Sequence, residues 1–323
     1  MQIVLYKYIS LEKEEHFTYL ESYFRQQIWL TPLSLFNDPF EGHFRLKSFR
    51  PDTILARPKL LEQMLESHRQ NGEPDLNRET FISRLNSAEF QETLLAHSPD
   101  VHNLFQSHGA ICLTPDPTNI PMWAYYGNNH KGCCLRFELD FQLIQNEIGI
   151  SNLDSFVQDI NSGKTLISFH LPKTDYEFVL SKVQYEKEMP SIDLNEVIEF
   201  KTTIEQIQYL VSRSVGVKFK QWQNENEYRL IANTNSIIVG NRPLSLKIIA
   251  PFLSVTGIII GSRMDINTKK RVEEMANKYK MSLSKASCST KEYKIEITEY
   301  STNSSQPVSN KGPTNLYLEP EVI

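Results

Sequence analysis

The chain is poor in the residues that announce a metal or redox centre. It holds four cysteines, Cys112, Cys133, Cys134 and Cys288, and none forms a CxxC pair. That spacing excludes the common zinc ribbons and dithiol motifs, so reduced thiols are expected and no metal. The vicinal pair Cys133-Cys134 points to opposite faces if it sits in a strand. No stretch approaches 18 uninterrupted apolar residues, so no membrane span is expected. The N-terminal segment carries no basic-then-apolar leader, which makes a cytoplasmic location the expectation. An excess of positive charge is also missing: 34 basic and 39 acidic residues leave a formal charge of −5. Nucleic-acid binding would therefore need a local basic patch. The GxxxxGK[ST] order of a phosphate-cradling loop is absent, and no internal repeat is visible.

What is present suits a folded core, with 40% hydrophobic and 23% charged residues. Ile3–Ile9 alternates as a strand with Ile3, Leu5 and Lys7 on one face. Ser10 then caps a helix through Phe17, Leu20 and Phe24. Ile28–Thr31 reads as a short strand stopped by Pro32. Further strands are expected at Gly109–Leu113, Cys133–Phe137, near Phe178–Tyr185, and at Tyr228–Ala232, Val255–Ile260 and Tyr293–Ile297. A short helix suits Met122–Tyr126, the longest suits Leu194–Val215, and another runs from Thr268 to Tyr279. Strands and helices mix without strict alternation, which predicts an α+β fold with a mixed central sheet flanked by helices. Residues 1–300 read as a single domain with a helical insertion at 51–108, and 301–323 as a disordered tail.

Three segments carry chemistry. Asn37-Asp38-Pro39-Phe40-Glu41 is a turn signal that displays two carboxylates after a strand end. The same residues also suit a rigid turn pinned by Phe36 and Phe40 in the core. Met122–Gly132 sets Trp123, Tyr125 and Tyr126 before a polar turn, Asn128-Asn129-His130-Lys131. Such a patch can stack a flat ring and hold a phosphate, or serve as core and exposed turn. In Trp222–Arg229, an extended backbone puts Glu225, Glu227 and Arg229 on one face. Carboxylates this close push one pKa up, which suits acid or base work. A surface ion pair is the bland alternative.

The run Leu5-Tyr6-Lys7-Tyr8, Phe36–Glu41, Met122-Trp123, His130-Lys131-Gly132, Lys220-Gln221-Trp222, Glu225-x-Glu227-Tyr228-Arg229 and Gly257–Gly261 resembles the bacterial domain of unknown function family 2971. The likeness extends to about residue 298 and implies no particular reaction. Glu225-x-Glu227 is in addition similar to the Glu-x-Glu motif of ADP-ribosyltransferases, although Thr31-Pro32-Leu33-Ser34 departs from their Ser-Thr-Ser run. This second resemblance implies an ADP-ribosyltransferase-like fold, NAD as cofactor, and ADP-ribosyl transfer or NAD hydrolysis. Bacterial proteins with such sites serve as toxins, effectors or phage-defence components.

On that reading Glu227 stabilises cationic charge on the ribose and Glu225 orients or deprotonates an acceptor. Trp123 or Tyr126 stacks on a base, and Lys131 contacts the pyrophosphate. Tyr8, Thr31, Asn37, Asp38, Glu41, His130 and Arg229 complete the expected nucleotide site. The acceptor is a protein, a nucleic acid or water. Two other classes compete: a non-catalytic nucleotide- or partner-binding sensor, and a nuclease holding Mg²⁺ with Asp38, Glu41, Glu225 and Glu227.

Overall fold

The computed structural model describes residues 3–47, 50–90, 92, 108–140, 167–170, 177–201, 203–232, 238–239, 242–243 and 246–300. The expected tail at 301–323 and most of the second half of the expected insertion lie outside these residues.

Seventeen strands are described: β1 (Ile3–Ile9), β2 (Gln27–Pro32), β3 (Arg45–Lys47), β4 (Gly109–Leu113), β5 (Cys133–Leu139), β6 (Ile167–His170), β7 (Glu177–Lys182), β8 (Gln184–Glu186), β9 (Ser191–Asp193), β10 (Val217–Phe219), β11 (Tyr228–Ala232), β12 (Ile238–Val239), β13 (Arg242–Pro243), β14 (Leu246–Ile249), β15 (Leu253–Ile260), β16 (Ser282–Cys288) and β17 (Ile295–Glu299). The fold is α+β, as the irregular alternation predicts. The strands expected in one sheet are divided between two. One sheet runs β1-β5-β15-β16-β17, the other β14-β2-β4-β11-β7-β6. Only β15 and β16 pair in parallel within them; every other pairing in the two sheets is antiparallel. Among the described residues one backbone bridge links the two sheets, where Tyr6 and Thr114 exchange bonds of 2.7 and 2.8 Å.

Period-two burial explains the packing. Leu5, Leu135, Phe137 and Ile258 from the first sheet meet Ile111, Leu113, Phe178 and Leu230 from the second in one apolar cluster. Helices Glu14–Phe24 and Ile266–Tyr279 add Phe17, Leu20, Phe24, Val272 and Ala276 to it. Cys133 joins this cluster, whereas Cys134 points the other way, against Trp123 and Tyr8. The vicinal thiols therefore do face opposite sides of β5. Helices Pro51–Leu55, Pro58–Gln70 and Arg78–Leu85 gather a small cluster of their own around Leu61, Leu65 and Phe81.

Three local expectations are corrected. The first helix begins at Glu14 rather than after Ser10, with Lys13 as its cap residue. The long helix expected from Leu194 to Val215 is two helices, Leu194–Val197 and Thr203–Ser212. The apolar stripe continues past Ser212, but Val215 and Val217 bury as loop and strand residues instead. Phe40 is not a core residue; it is 59% exposed.

Candidate functional site

A cleft of about 320 Å³ opens at the seam where the two sheets meet. Strand β1 contributes Tyr6, Lys7 and Tyr8, β2 contributes Thr31, and β4 contributes Ala110, Cys112 and Leu113. The turn after β2 adds Leu35, Phe36 and Asn37, and the helix Ile120–Tyr125 with the residue after it adds Met122 and Tyr126. Lys218, Glu225 and Glu227 close the wall. Apolar walls with a few convergent polar groups are the usual composition of a small-molecule site.

The route of the chain from β10 to β11 explains the charged wall. Lys218 is the middle residue of β10, flanked by the apolar Val217 and Phe219. A 3-10 turn, Lys220–Glu225, follows, and Asn226 turns the backbone left-handed with φ of 45°. Asparagine is among the few side chains that tolerate that region. The segment is thus not extended at Glu225, as the period-two reading supposed. The turn nevertheless returns Glu225 to Lys218, while Glu227 and Arg229 keep strand alternation.

The result is a buried network of five charges. Lys218 Nζ lies 2.6 Å from Glu225 Oε2, 3.2 Å from Glu41 Oε1 and 3.4 Å from Glu227 Oε2. Arg229, fully buried, donates to Glu227 Oε1 and Glu41 Oε1, both at 2.8 Å, and to the Val215 carbonyl at 2.6 Å. Its guanidinium faces the Phe36 ring at 5.4 Å, and Lys218 faces Trp222 at 5.0 Å. Buried ions survive only when paired like this. One oxygen of Glu41, Oε2, has no hydrogen-bond partner among the described residues.

The two carboxylates of the Glu-x-Glu pair are pushed apart in acidity. Burial raises Glu227, but Arg229 and then Lys218 outweigh it and hold the carboxyl at about 2. At Glu225 burial wins, and its pKa is raised despite the Lys218 and Tyr126 bonds. Tyr126 donates its hydroxyl to Glu225 Oε1 at 2.6 Å and receives Asn37 Nδ2 at 2.9 Å. Burial and the adjacent Glu225 both raise the Tyr126 pKa, so this hydroxyl stays protonated. The chain Asn37–Tyr126–Glu225–Lys218 therefore runs across the cleft wall.

Of the residues singled out from sequence, Tyr8, Thr31, Asn37, Tyr126, Glu225 and Glu227 line the cleft. Glu41 and Arg229 lie behind that wall and hold it. Asp38 is buried, and its Oδ1 accepts the Phe40 amide at 2.9 Å, the side-chain-to-backbone turn its sequence suggests. Trp123, His130 and Lys131 do not line the cleft. Trp123 is 0% exposed, donates Nε1 to the Pro117 carbonyl at 2.9 Å and stacks on His130 at 6.1 Å, so no ring of a ligand reaches it. Burial and nearby Arg263 lower the His130 pKa. Lys131 sits exposed on a turn in which Asn128, Asn129 and His130 are all left-handed, with φ of 48, 52 and 68°.

The sequence reading missed Lys218, Lys7, Cys112 and Tyr185. Tyr185 receives the Glu227 amide at 2.9 Å and fixes the start of β11. A lysine between two apolar residues, as in Val217-Lys218-Phe219, was the available signal for a buried cation. Lys7 carried the same signal on the apolar face of β1.

These features define an α+β protein with a charged cleft where its two larger sheets meet. Residues 122–230, about a third of the chain, match the family described as Protein of unknown function (DUF2971). The matched stretch starts within the helix Ile120–Tyr125, which bears Trp123, and ends on β11 just after Arg229. No curated protein and no solved structure matches the chain.

Proposed function

We propose that the cleft binds a nucleotide and cleaves its N-glycosidic bond, with NAD as the substrate and water or a protein or nucleic-acid nucleophile as the acceptor. The observation that carries this reading is the Glu225/Glu227 pair, two carboxylates on one wall with acidities driven in opposite directions. Such a split assigns different tasks to chemically identical groups. Glu227 is a permanent anion committed to Arg229 and Lys218, so it is a positioning residue. Glu225 is the carboxylate that meets the substrate. It stabilises positive charge growing on the ribose, and its raised pKa suits it to accept the proton of the attacking nucleophile. The C1′–N bond breaks with its electron pair going to nicotinamide nitrogen, which becomes neutral. The nucleophile's oxygen forms the new bond to C1′ and passes its proton to Glu225. Tyr6, Tyr8 and Met122 supply apolar and aromatic surface for a base.

The test is nicotinamide release from NAD, followed by chromatography. Glu225→Gln is expected to reduce the rate by at least about 100-fold, the usual effect of losing one preorganised electrostatic contact. A binding module is the second reading, favoured by the mutual neutralisation of Lys218, Arg229 and their carboxylates. Saturable NAD binding without any nicotinamide release would select it. The nuclease reading is weakened by the same geometry, because Mg²⁺ at Glu41, Glu225 and Glu227 would have to displace the Lys218 ammonium.

A further inference from the structure

Two lysines reach the cleft, and their surroundings differ. Lys218 touches three carboxylates, so its charge is satisfied before any ligand arrives. Lys7 makes one polar contact, a 3.4 Å approach to the Cys112 carbonyl. Among the described residues no carboxylate lies within ion-pair distance of it; Glu227 acts on it only from farther away.

The strand that carries Lys7 is held on both sides. Lys7 is opposite Leu135 in the β1–β5 ladder, and Tyr6, one residue earlier, forms the bridge to Thr114. Tyr8, one residue later, donates its hydroxyl to the Asp116 carbonyl at 2.8 Å and packs edge-on against Trp123 at 5.1 Å. The ammonium is therefore delivered into the cleft, half-buried, from a rigid backbone. Burial alone works against its charge and lowers its pKa. A half-buried cation with no carboxylate at ion-pair distance among the described residues is an arrangement that an incoming anion stabilises, because the interaction is charge-assisted and less screened than in bulk water. Across the cleft, Lys218 and Arg229 lie directly against the three carboxylates and offset two of their charges.

We propose that Lys7 is the anion-binding group of this cleft and takes a phosphate of the ligand, so that phosphorylated nucleotides are selected over nucleosides. This rests on reading the cleft as a nucleotide site, and it gives Lys7 the task that the sequence had suggested for Lys131.

Calorimetric titration of AMP and adenosine into the full-length protein tests it. Wild type is expected to bind AMP at least about tenfold tighter than adenosine. Lys7→Met should bring AMP down to the adenosine affinity and leave adenosine unchanged, whereas Lys7→Arg should retain the preference. Inorganic phosphate competing with AMP in wild type but not in Lys7→Met would support the same subsite. As a measurement independent of variant folding, AMP but not adenosine should protect Lys7 from acetylation by acetic anhydride, read by mass spectrometry. Equal affinities for AMP and adenosine, an equal loss of both in Lys7→Met, or acetylation unaffected by AMP would each overturn the proposal. Silence toward NAD with the AMP preference intact would remove the glycosidic reaction and leave the phosphate subsite standing.

Discussion

At Glu225 and Glu227, two identical side chains two positions apart are made different by their neighbours. Glu227 faces Arg229 at 2.8 Å, whereas Glu225 faces Lys218 and a tyrosine hydroxyl, both at 2.6 Å. The pH dependence follows with opposite signs. Glu227 sits at about 2 instead of the ordinary 4.5, so it contributes stability above 4.5 that disappears as the pH falls toward 2. Glu225 is raised above 4.5, so the folded protein binds its proton more tightly than the unfolded chain. Stability therefore falls as pH rises from 4.5 through its elevated pKa. Melting curves across pH should show Glu225→Gln lacking that upper fall, and Glu227→Gln lacking the acid-side loss. Arg229→Leu leaves Glu41 and Glu227 buried with Lys218 alone, and should cost about 3–5 kcal/mol in denaturant unfolding. A surface ion pair at this position would give a change near zero.

At the scale of elements, the Gly127–Gly132 turn looks like a ligand loop and acts as a joint. A Cβ on Gly132 would sit 2.1 Å from the Ile9 carbonyl oxygen, and one on Gly261 would sit 2.3 Å from that of His130. The turn is clamped between the ends of β1 and β15, with Gly261 N bonded to Gly132 O at 3.0 Å and Arg263 N to His130 O at 2.9 Å. Gly132→Ala should therefore greatly reduce the yield of folded protein, whereas Lys131→Met should leave melting temperature and AMP affinity unchanged. Loss of AMP binding in Lys131→Met with normal folding would return the turn to the ligand site. The aromatic and amide residues here were conspicuous in the sequence, but residue type alone does not separate a packed tryptophan from one facing a ligand.

At the scale of the molecule, the cleft lies where β1 of one sheet meets β4 of the other. The Tyr6–Thr114 bridge ties the strand carrying Lys7 to the strand carrying Cys112. Thr114→Pro removes the amide that donates to Tyr6 and leaves that carbonyl without its partner, a loss of about 1–3 kcal/mol if buried. Nucleotide affinity is expected to fall further than that, because the β1 and β4 walls lose their register. Calorimetry at a temperature where the variant remains folded would read the two effects separately; unchanged affinity would show that the bridge does not set the cleft.

Local pattern in the chain was enough for most of the elements. Alternation placed β1, β4, β5, β11 and β15, and the Asn-Asp-Pro turn around Asp38 formed as its side chains suggest. Six of the twelve proposed site residues line the cleft, because their segments end at the seam. Only the tertiary structure decided that the strands form two sheets, since alternation records which face is apolar and not which strand lies beside it. Only it decided that Trp123 is core and that Glu227 is committed to Arg229. It also brought in Lys7 and Lys218, more than 200 positions apart in sequence. A lysine's role depends on which carboxylates stand within about 4 Å of it, because charge pairing weakens steeply with distance and with water. That distance is set by the long-range approach of β1 to β4 and by the pairing of β10 with β8 and of β11 with β4, which no stretch of the sequence contains by itself.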